Sequence, residues 1–290
     1  VVKVVRTIQE VFRFLVFSNY WITIAAVCYA ALTVFQLNLK VPFLFYWFVG
    51  SCTLCSYCLQ RYVQLGNRKK KKSSRQYWLE GNRLHLGLTI LASAILALIT
   101  GLTVLSPIQI VSCIPIVAIS FIYSIRIIGK KNAKGGLRDI PGIKIFMVAI
   151  SWVFLCGFLP IWINGLSNIS AIGVLTLSAE KFLFVFAITI PFDIRDLQLD
   201  DLSQRTIPQV IGIEKSITLA NVLLFLGAVL GWVCVAYSAA AFTGLLMSYV
   251  LTSIILSFVK KETKELYYSG LIDGTIALQA ATVILAIYFL

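Results

Sequence analysis

Three aspartates, Asp193, Asp196 and Asp200, follow one another at spacings of three and four residues in the stretch PFDIRDLQLDDLSQRTIPQVIG, residues 191–212. A helix brings residues at those spacings onto one face, and these three end an apolar run long enough to enter a membrane. Carboxylates stacked in that position repel one another unless a cation lies between them. The cation is either a metal that holds a phosphorylated lipid or the protein's own arginines. Hard oxygen ligands suit magnesium, which keeps much of its water and is completed by substrate phosphates. A magnesium-bridged diphosphate leaves readily because the metal and nearby Lys or Arg absorb its growing charge. If an isoprenoid carries that diphosphate, its tail can lie between helices and the allylic cation forms away from water. Nothing else in the chain resembles a catalytic constellation: there is no Ser-His-Asp arrangement, no Walker loop and no zinc pattern.

Membrane helices must position these groups. Hydrophobic residues make up 59% of the chain and charged ones 13%, against about 25% charged in a soluble domain, and the mean hydropathy is +0.91. The apolar runs are too long for barrel strands and do not alternate, so the fold class is all-α, a polytopic membrane helical bundle. Periodicity predicts about nine transmembrane helices, at 12–36, 42–65, 84–106, 108–128, 144–164, 179–197, 216–237, 239–259 and 268–289, in a single domain over 1–290. The formal charge of +13 falls in the loops between spans. That is the positive-inside pattern with an added attraction to membrane lipid, and it argues against a nucleic-acid partner. Of the 25 Lys and Arg residues only Lys40 and Lys181 fall on the external half, which predicts a cytoplasmic N-terminus and an external C-terminus in an inner membrane of bacterial type. No cleavable signal peptide is expected, because the first apolar run is too long for one.

Along the chain, Ser18, Asn19 and Trp21 form a polar group early in the first span that either lines a cavity or bridges helices. Cys52, Cys55 and Cys58 recur every three residues, a stripe that spreads the sulfurs instead of converging them. The basic run from Arg68 to Lys72 reads as a solvated loop. His85, the single histidine, has no ligand partner at metal spacing. Lys144 enters a span with no acid near it in sequence, either as a functional cation or as a snorkelling one. Glu180 and Lys181 open the sixth span near the external face. The last three spans carry few polar groups beyond the KKETKEL loop and Asp273, and read as scaffold.

Taken together, DIRDLQLDD with RTIPQVIG after it resembles the second aspartate motif of the UbiA-type intramembrane prenyltransferases. The RDIPGIKIFMVAISW segment, the YCLQRY element and the nine-helix layout resemble the same family across essentially the whole chain. The resemblance implies a bundle around a central lipid-open cavity, with magnesium and a prenyl diphosphate at its cytoplasmic mouth and an aromatic or other lipophilic acceptor alongside. By motif position it implies Asp196 and Asp200 as catalytic metal ligands, Asp193 in the place of an Asn or Asp ligand, and Lys144 on the diphosphate. Arg205 is a further candidate for that contact.

The sequence departs from the family at two places. The first acidic motif should fall on Cys58 to Gly66, where Gln60 and Arg61 stand and no carboxylate occurs. The Tyr-x-x-x-Lys element is altered too, with Tyr123 followed by Arg126 one place early. Two readings follow. One is a working prenyltransferase in which Arg61 supplies the charge of a missing second magnesium. The other is a catalytically degenerate relative that binds lipid or pigment among other membrane subunits, its aspartates neutralised by Arg61, Arg195 or Arg205. A transporter is a third class, disfavoured because the ionisable residues gather at one end and not at the midplane.

Overall fold

The structure, a computed structural model, describes residues 2–65, 73–125, 143–166, 169–197, 205–234 and 238–290; of residues 2, 3, 64 and 119–125 it describes the backbone alone. Every regular element in it is helical. They are α1 (Val2–Phe17), α2 (Tyr20–Gln36), α3 (Leu44–Leu65), α4 (Ser74–Gly81), α5 (Arg83–Val104), α6 (Pro107–Ile125) and α7 (Ile143–Trp152). A π-helical stretch (Val153–Phe158) joins α7 to α8 (Leu159–Asn164), and α9 (Ala171–Asp196), α10 (Ile207–Ile211), α11 (Ile213–Val233) and α12 (Ala239–Ser257) follow. A second π-helical stretch (Tyr267–Ile272) leads into α13 (Asp273–Phe289).

Among the described residues six helical segments are long and apolar enough to cross a membrane, or seven when α1 and α2 count as one broken span bent by 72°. The chain is an integral membrane protein of all-helical fold. α3 is long enough, but Ser51, Thr53, Gln60 and Arg61 dilute its apolar character, and the apolar part of α6 searched, Pro107–Ala118, is short. Adding both would bring the number to the nine expected; length and composition alone do not establish them as spans.

Most span boundaries agree with the periodicity, and the exceptions have local causes. The first span breaks at Ser18 and Asn19, where Asn19 takes a left-handed φ of 68°, a conformation Asn tolerates better than most residues. The polar group there bridges helices: Asn19 Nδ2 donates to Cys58 Sγ at 3.4 Å, and Trp21 Nε1 donates to the Gly270 carbonyl at 2.7 Å. The basic loop after α3 contains α4, started by a capping box in which Ser73 and Gln76 each satisfy the other's backbone amide.

The sixth predicted span needs the largest correction. α9 begins at Ala171, capped by Ser170, whose Oγ accepts from the Gly173 amide. Glu180 and Lys181 therefore do not open the helix near an outer face. They lie about 14 Å along it and are fully buried. Tyr249 Oη donates to Glu180 Oε1 at 2.7 Å and Gln279 Nε2 donates to the same oxygen at 3.0 Å. Lys181 Nζ lies 4.1 Å from the centroid of the Tyr29 ring, in space that Gly157 leaves open.

The main core runs the length of the bundle and joins α2, α3, α7, α9, α11, α12 and α13. α12 and α13 approach closely at Gly244, where a Cβ would run into the α13 backbone at Thr282 and Val283, the small-residue contact that packs membrane helices. Large apolar side chains such as Leu91, Leu98, Leu102, Phe225 and Trp232 remain exposed on the outside. That surface is suited to lipid and not to water.

Candidate functional site

The charged groups meet at the end of the bundle where α3 and α9 finish and α7 and α13 begin. Pro191 removes one amide near the end of α9 without ending the helix, so Asp193 and Asp196 still share a face. From α7, Lys144 brings its Nζ to 3.0 Å from Asp193 Oδ1 and 3.4 Å from Asp196 Oδ2. The side chain of Asp193 is 2% exposed, that of Asp196 20% and that of Lys144 29%. The three are therefore deep in the bundle, yet two of them still touch open space.

Arg195 closes the other side of Asp196. Its Nε and Nη2 donate to Oδ1 and Oδ2 at 2.8 and 3.2 Å, the two-pronged grip a guanidinium makes on a carboxylate. The guanidinium carbon lies 5.0 Å from the Phe192 ring centroid and 5.9 Å from that of Tyr268. Nη1 of Arg195 reaches Glu265 Oε1 at 3.4 Å, and Nη1 of Arg75 lies 3.8 Å from the same oxygen.

Arg75 is itself buried. It donates to Asn19 Oδ1 at 2.6 Å, to the Val16 carbonyl at 3.0 Å and to Ser269 Oγ at 3.1 Å. It thus ties the break between α1 and α2 to the stretch before α13. Burial, with help from the charge of Arg61, pushes the Arg75 guanidinium down to about 9, and at neutral pH it stays charged. Arg61, near the end of α3, lies within electrostatic reach of Arg195, Glu265, Asp196 and Asp273.

Whether the aspartates fit a metal can be tested on these contacts. Asp193 and Asp196 aim carboxylate oxygens at one point, the arrangement of a cation site, and the Lys144 ammonium holds that point. The donor chemistry fits magnesium, with Lys144 and Arg195 neutralising the carboxylates in its place. Among the described residues no three His, Cys, Asp or Glu side chains gather as a metal cluster. Asp200 and Arg126 lie outside the described residues, as does the side chain of Tyr123. Arg205 is exposed, with a left-handed φ of 44°, and among the described residues it pairs with no member of the cluster.

The structure thus joins Lys144, Asp193, Asp196 and Arg61. It also adds Glu265 and Arg75, which the sequence reading passed over. The Ser73-x-x-Gln76 capping box marks a helix in the basic loop and was the available sign that Arg75 is ordered. For Glu265 no local pattern separates it from Glu262 in the same loop.

No family model matches the chain, and comparison with curated protein sequences returns no relative. Its fold does match solved structures. Two are of a UbiA homolog from Archaeoglobus fulgidus. The one bound to DMAPP and Mg2+ has a TM-score of 0.61 and 14% identity over 96% of this chain and 99% of that chain. The one bound to GPP and Mg2+ has a TM-score of 0.63 and 14% identity over 95% and 99%. A digeranylgeranylglyceryl phosphate synthase matches with a TM-score of 0.53 and 15% identity over 96% of each chain. The chain has the UbiA-type membrane fold over nearly its whole length.

Proposed function

We propose that the chain is a UbiA-type membrane prenyltransferase, which moves a prenyl group from a prenyl diphosphate to a lipophilic acceptor with the help of magnesium. The observation that carries this reading is the convergence of Lys144, Asp193 and Asp196 at one end of the bundle, with Arg195 and Arg61 beside them. The structural neighbours that bind DMAPP or GPP with Mg2+ support it. By the positive-inside argument that end faces the cytoplasm, and the whole chain acts as one transmembrane domain.

Asp193, Asp196 and Asp200 would hold the magnesium, which when bound supplies a Lewis acid that screens the leaving diphosphate. Lys144, released from the two carboxylates as they turn to that task, donates to phosphate oxygens. Arg195 remains anchored by Glu265 and adds fixed positive charge. Arg61 stands where the family's first acidic motif would stand, and a guanidinium there grips phosphate directly. The rings of Phe192 and Tyr268 lie beside this charge and shield the reacting carbon from water.

The test uses purified protein in lipid nanodiscs with labelled geranyl diphosphate and magnesium. Magnesium-dependent binding and diphosphate release are expected, with release falling about a hundredfold to a thousandfold in Asp196→Asn, as when a transition-state charge stabiliser is removed. Absence of binding, or identical behaviour of the variant, overturns the proposal.

A further inference from the structure

α1 stands apart from the bundle in composition and in direction. In VKVVRTIQEVFRFLVF the charged residues Lys3, Arg6, Glu10 and Arg13 recur at spacings of three and four, which places them on one side of the helix. Val4, Val5, Ile8, Val11 and Phe12 fall on the other side. A helix divided in this way suits the boundary between water and hydrocarbon. Neither side is covered over its first three turns: Val4, Val5, Ile8 and Val11 are exposed, and so are Arg6, Glu10 and Arg13.

The direction of α1 fits the same boundary. It leaves the axis of α2 at 72°, so it lies close to the membrane plane where α2 crosses the membrane. The 17 residues of α2 carry no charge and reach the lower end of the length that spans a bilayer, about 17–25 residues; α2 needs no part of α1 to cross. The bend is held from within the fold. Arg75 donates to the carbonyls of Val16 and Phe17 at 3.0 and 3.5 Å, and to Asn19 Oδ1 at 2.6 Å. Phe12 and Val16 fill the space over Gly270 that a side chain there would need, and Ile8 carries the same face one turn further, beyond the bundle. Aromatic rings gather at the bend. Phe12 lies 5.3 Å from Trp21, and Phe14 lies 6.0 Å from Tyr20 and 5.8 Å from Trp78. Trp and Tyr rings of this kind sit at the headgroup level of a bilayer.

We propose that α1 lies in the headgroup layer at the charged end of the bundle and binds the anionic lipids of that leaflet. Val4, Val5, Ile8 and Val11 enter the boundary of the acyl chains, and Lys3, Arg6 and Arg13 meet lipid phosphates. These three cations stand against one carboxylate, Glu10. Arg6 holds Glu10 at 3.1 Å, but both side chains are exposed and water screens such a pair. The excess positive charge selects anionic over zwitterionic headgroups, because each basic group near an anionic surface adds to the attraction. Binding of this kind needs no prenyl substrate.

The experiment follows amide hydrogen exchange of residues 4–13 by mass spectrometry, with the full chain in nanodiscs of phosphatidylcholine alone or mixed equally with phosphatidylglycerol. A short helix free in water opens readily, so its amides are protected only while it is docked. Exchange about tenfold slower in the discs that contain phosphatidylglycerol is expected. The double variant Arg6→Gln, Arg13→Gln should lose that difference between the two lipids. Ile8→Asp should exchange at least about tenfold faster than wild type in both, since its apolar face no longer enters the bilayer, while α9 exchanges as in wild type. Equal exchange of wild type in the two lipids, a lipid difference that survives in the arginine variant, or protection that rises with protein concentration, the mark of a second copy on this face, overturns the proposal.

Discussion

α9 carries two sets of charges, and they are built differently. Lys144, Asp193, Asp196, Arg195 and Glu265 at its end are joined by ion pairs of 2.8 to 3.4 Å between side chains that, apart from the buried Asp193, are partly accessible. Glu180 and Lys181, about 22 Å back along the same helix, are fully buried and are met by neutral partners: a tyrosine hydroxyl, a glutamine amide and an aromatic face. The first set can exchange its partners for a metal and a phosphate. The second is shut away from solvent among the described residues, and its contacts tie α2, α9, α12 and α13 together. A charge inside a membrane helix is therefore not evidence of a site until its accessibility and convergence are known.

The largest effect that would break this contrast is on stability. Glu180→Leu removes the carboxylate to which the Tyr249 hydroxyl and the Gln279 amide donate, and removing one member of a buried charged set costs about 3–5 kcal/mol. Thermal unfolding in detergent should show the loss, while the folded fraction keeps its affinity for geranyl diphosphate. Reduced affinity with unchanged stability would mean that the inner set belongs to the site.

Lys144→Met should do the reverse. Affinity for geranyl diphosphate is expected to fall about tenfold to a hundredfold, equivalent to roughly 1.4–2.7 kcal/mol by the usual conversion, because a charge-assisted phosphate contact is lost. The melting temperature should move less than in Glu180→Leu, since Lys144 is partly solvated. Calorimetric titration of the two variants side by side reads both quantities, and a larger stability loss in Lys144→Met reverses the assignment.

Much of this contrast was legible in the sequence. The spacing of the aspartates was enough to put Asp193 and Asp196 on one side of α9, because helical geometry fixes which side chains share a face, whereas Lys144, on another helix, was tied to them only through the family resemblance. The inner set was misplaced because α9 starts at Ala171, in a polar and glycine-containing segment that reads as a loop although Ser170 caps the helix. Glu265, Arg75 and Asp273 reach the cluster from three separate segments, and no local pattern in one sequence encodes a meeting of that kind. Arg61 was suspected only because the expected carboxylates were missing from α3.

Arg61→Ala sharpens the comparison at intermediate size. If this guanidinium does the work of a second cation, the variant should lose about tenfold in diphosphate affinity, and the loss should be largely recovered by Arg61→Lys only if point charge suffices. A planar grip on phosphate is not reproduced by an ammonium, so partial recovery is the expected result. Full recovery would show that Arg61 acts through its charge alone.

The smallest effect is expected at Arg205. The resemblance makes it a diphosphate contact, but it is exposed and stands outside the ion-pair cluster, held at a φ of 44° that an L residue adopts at some cost. Arg205→Ala should change geranyl diphosphate affinity less than twofold. Arg205→Gly should relieve the backbone and raise the unfolding temperature slightly, since glycine enters the left-handed region freely. A tenfold loss of affinity in both variants would show that Arg205 acts on the diphosphate after all, and would extend the exchangeable set of charges to a residue that stands apart from it.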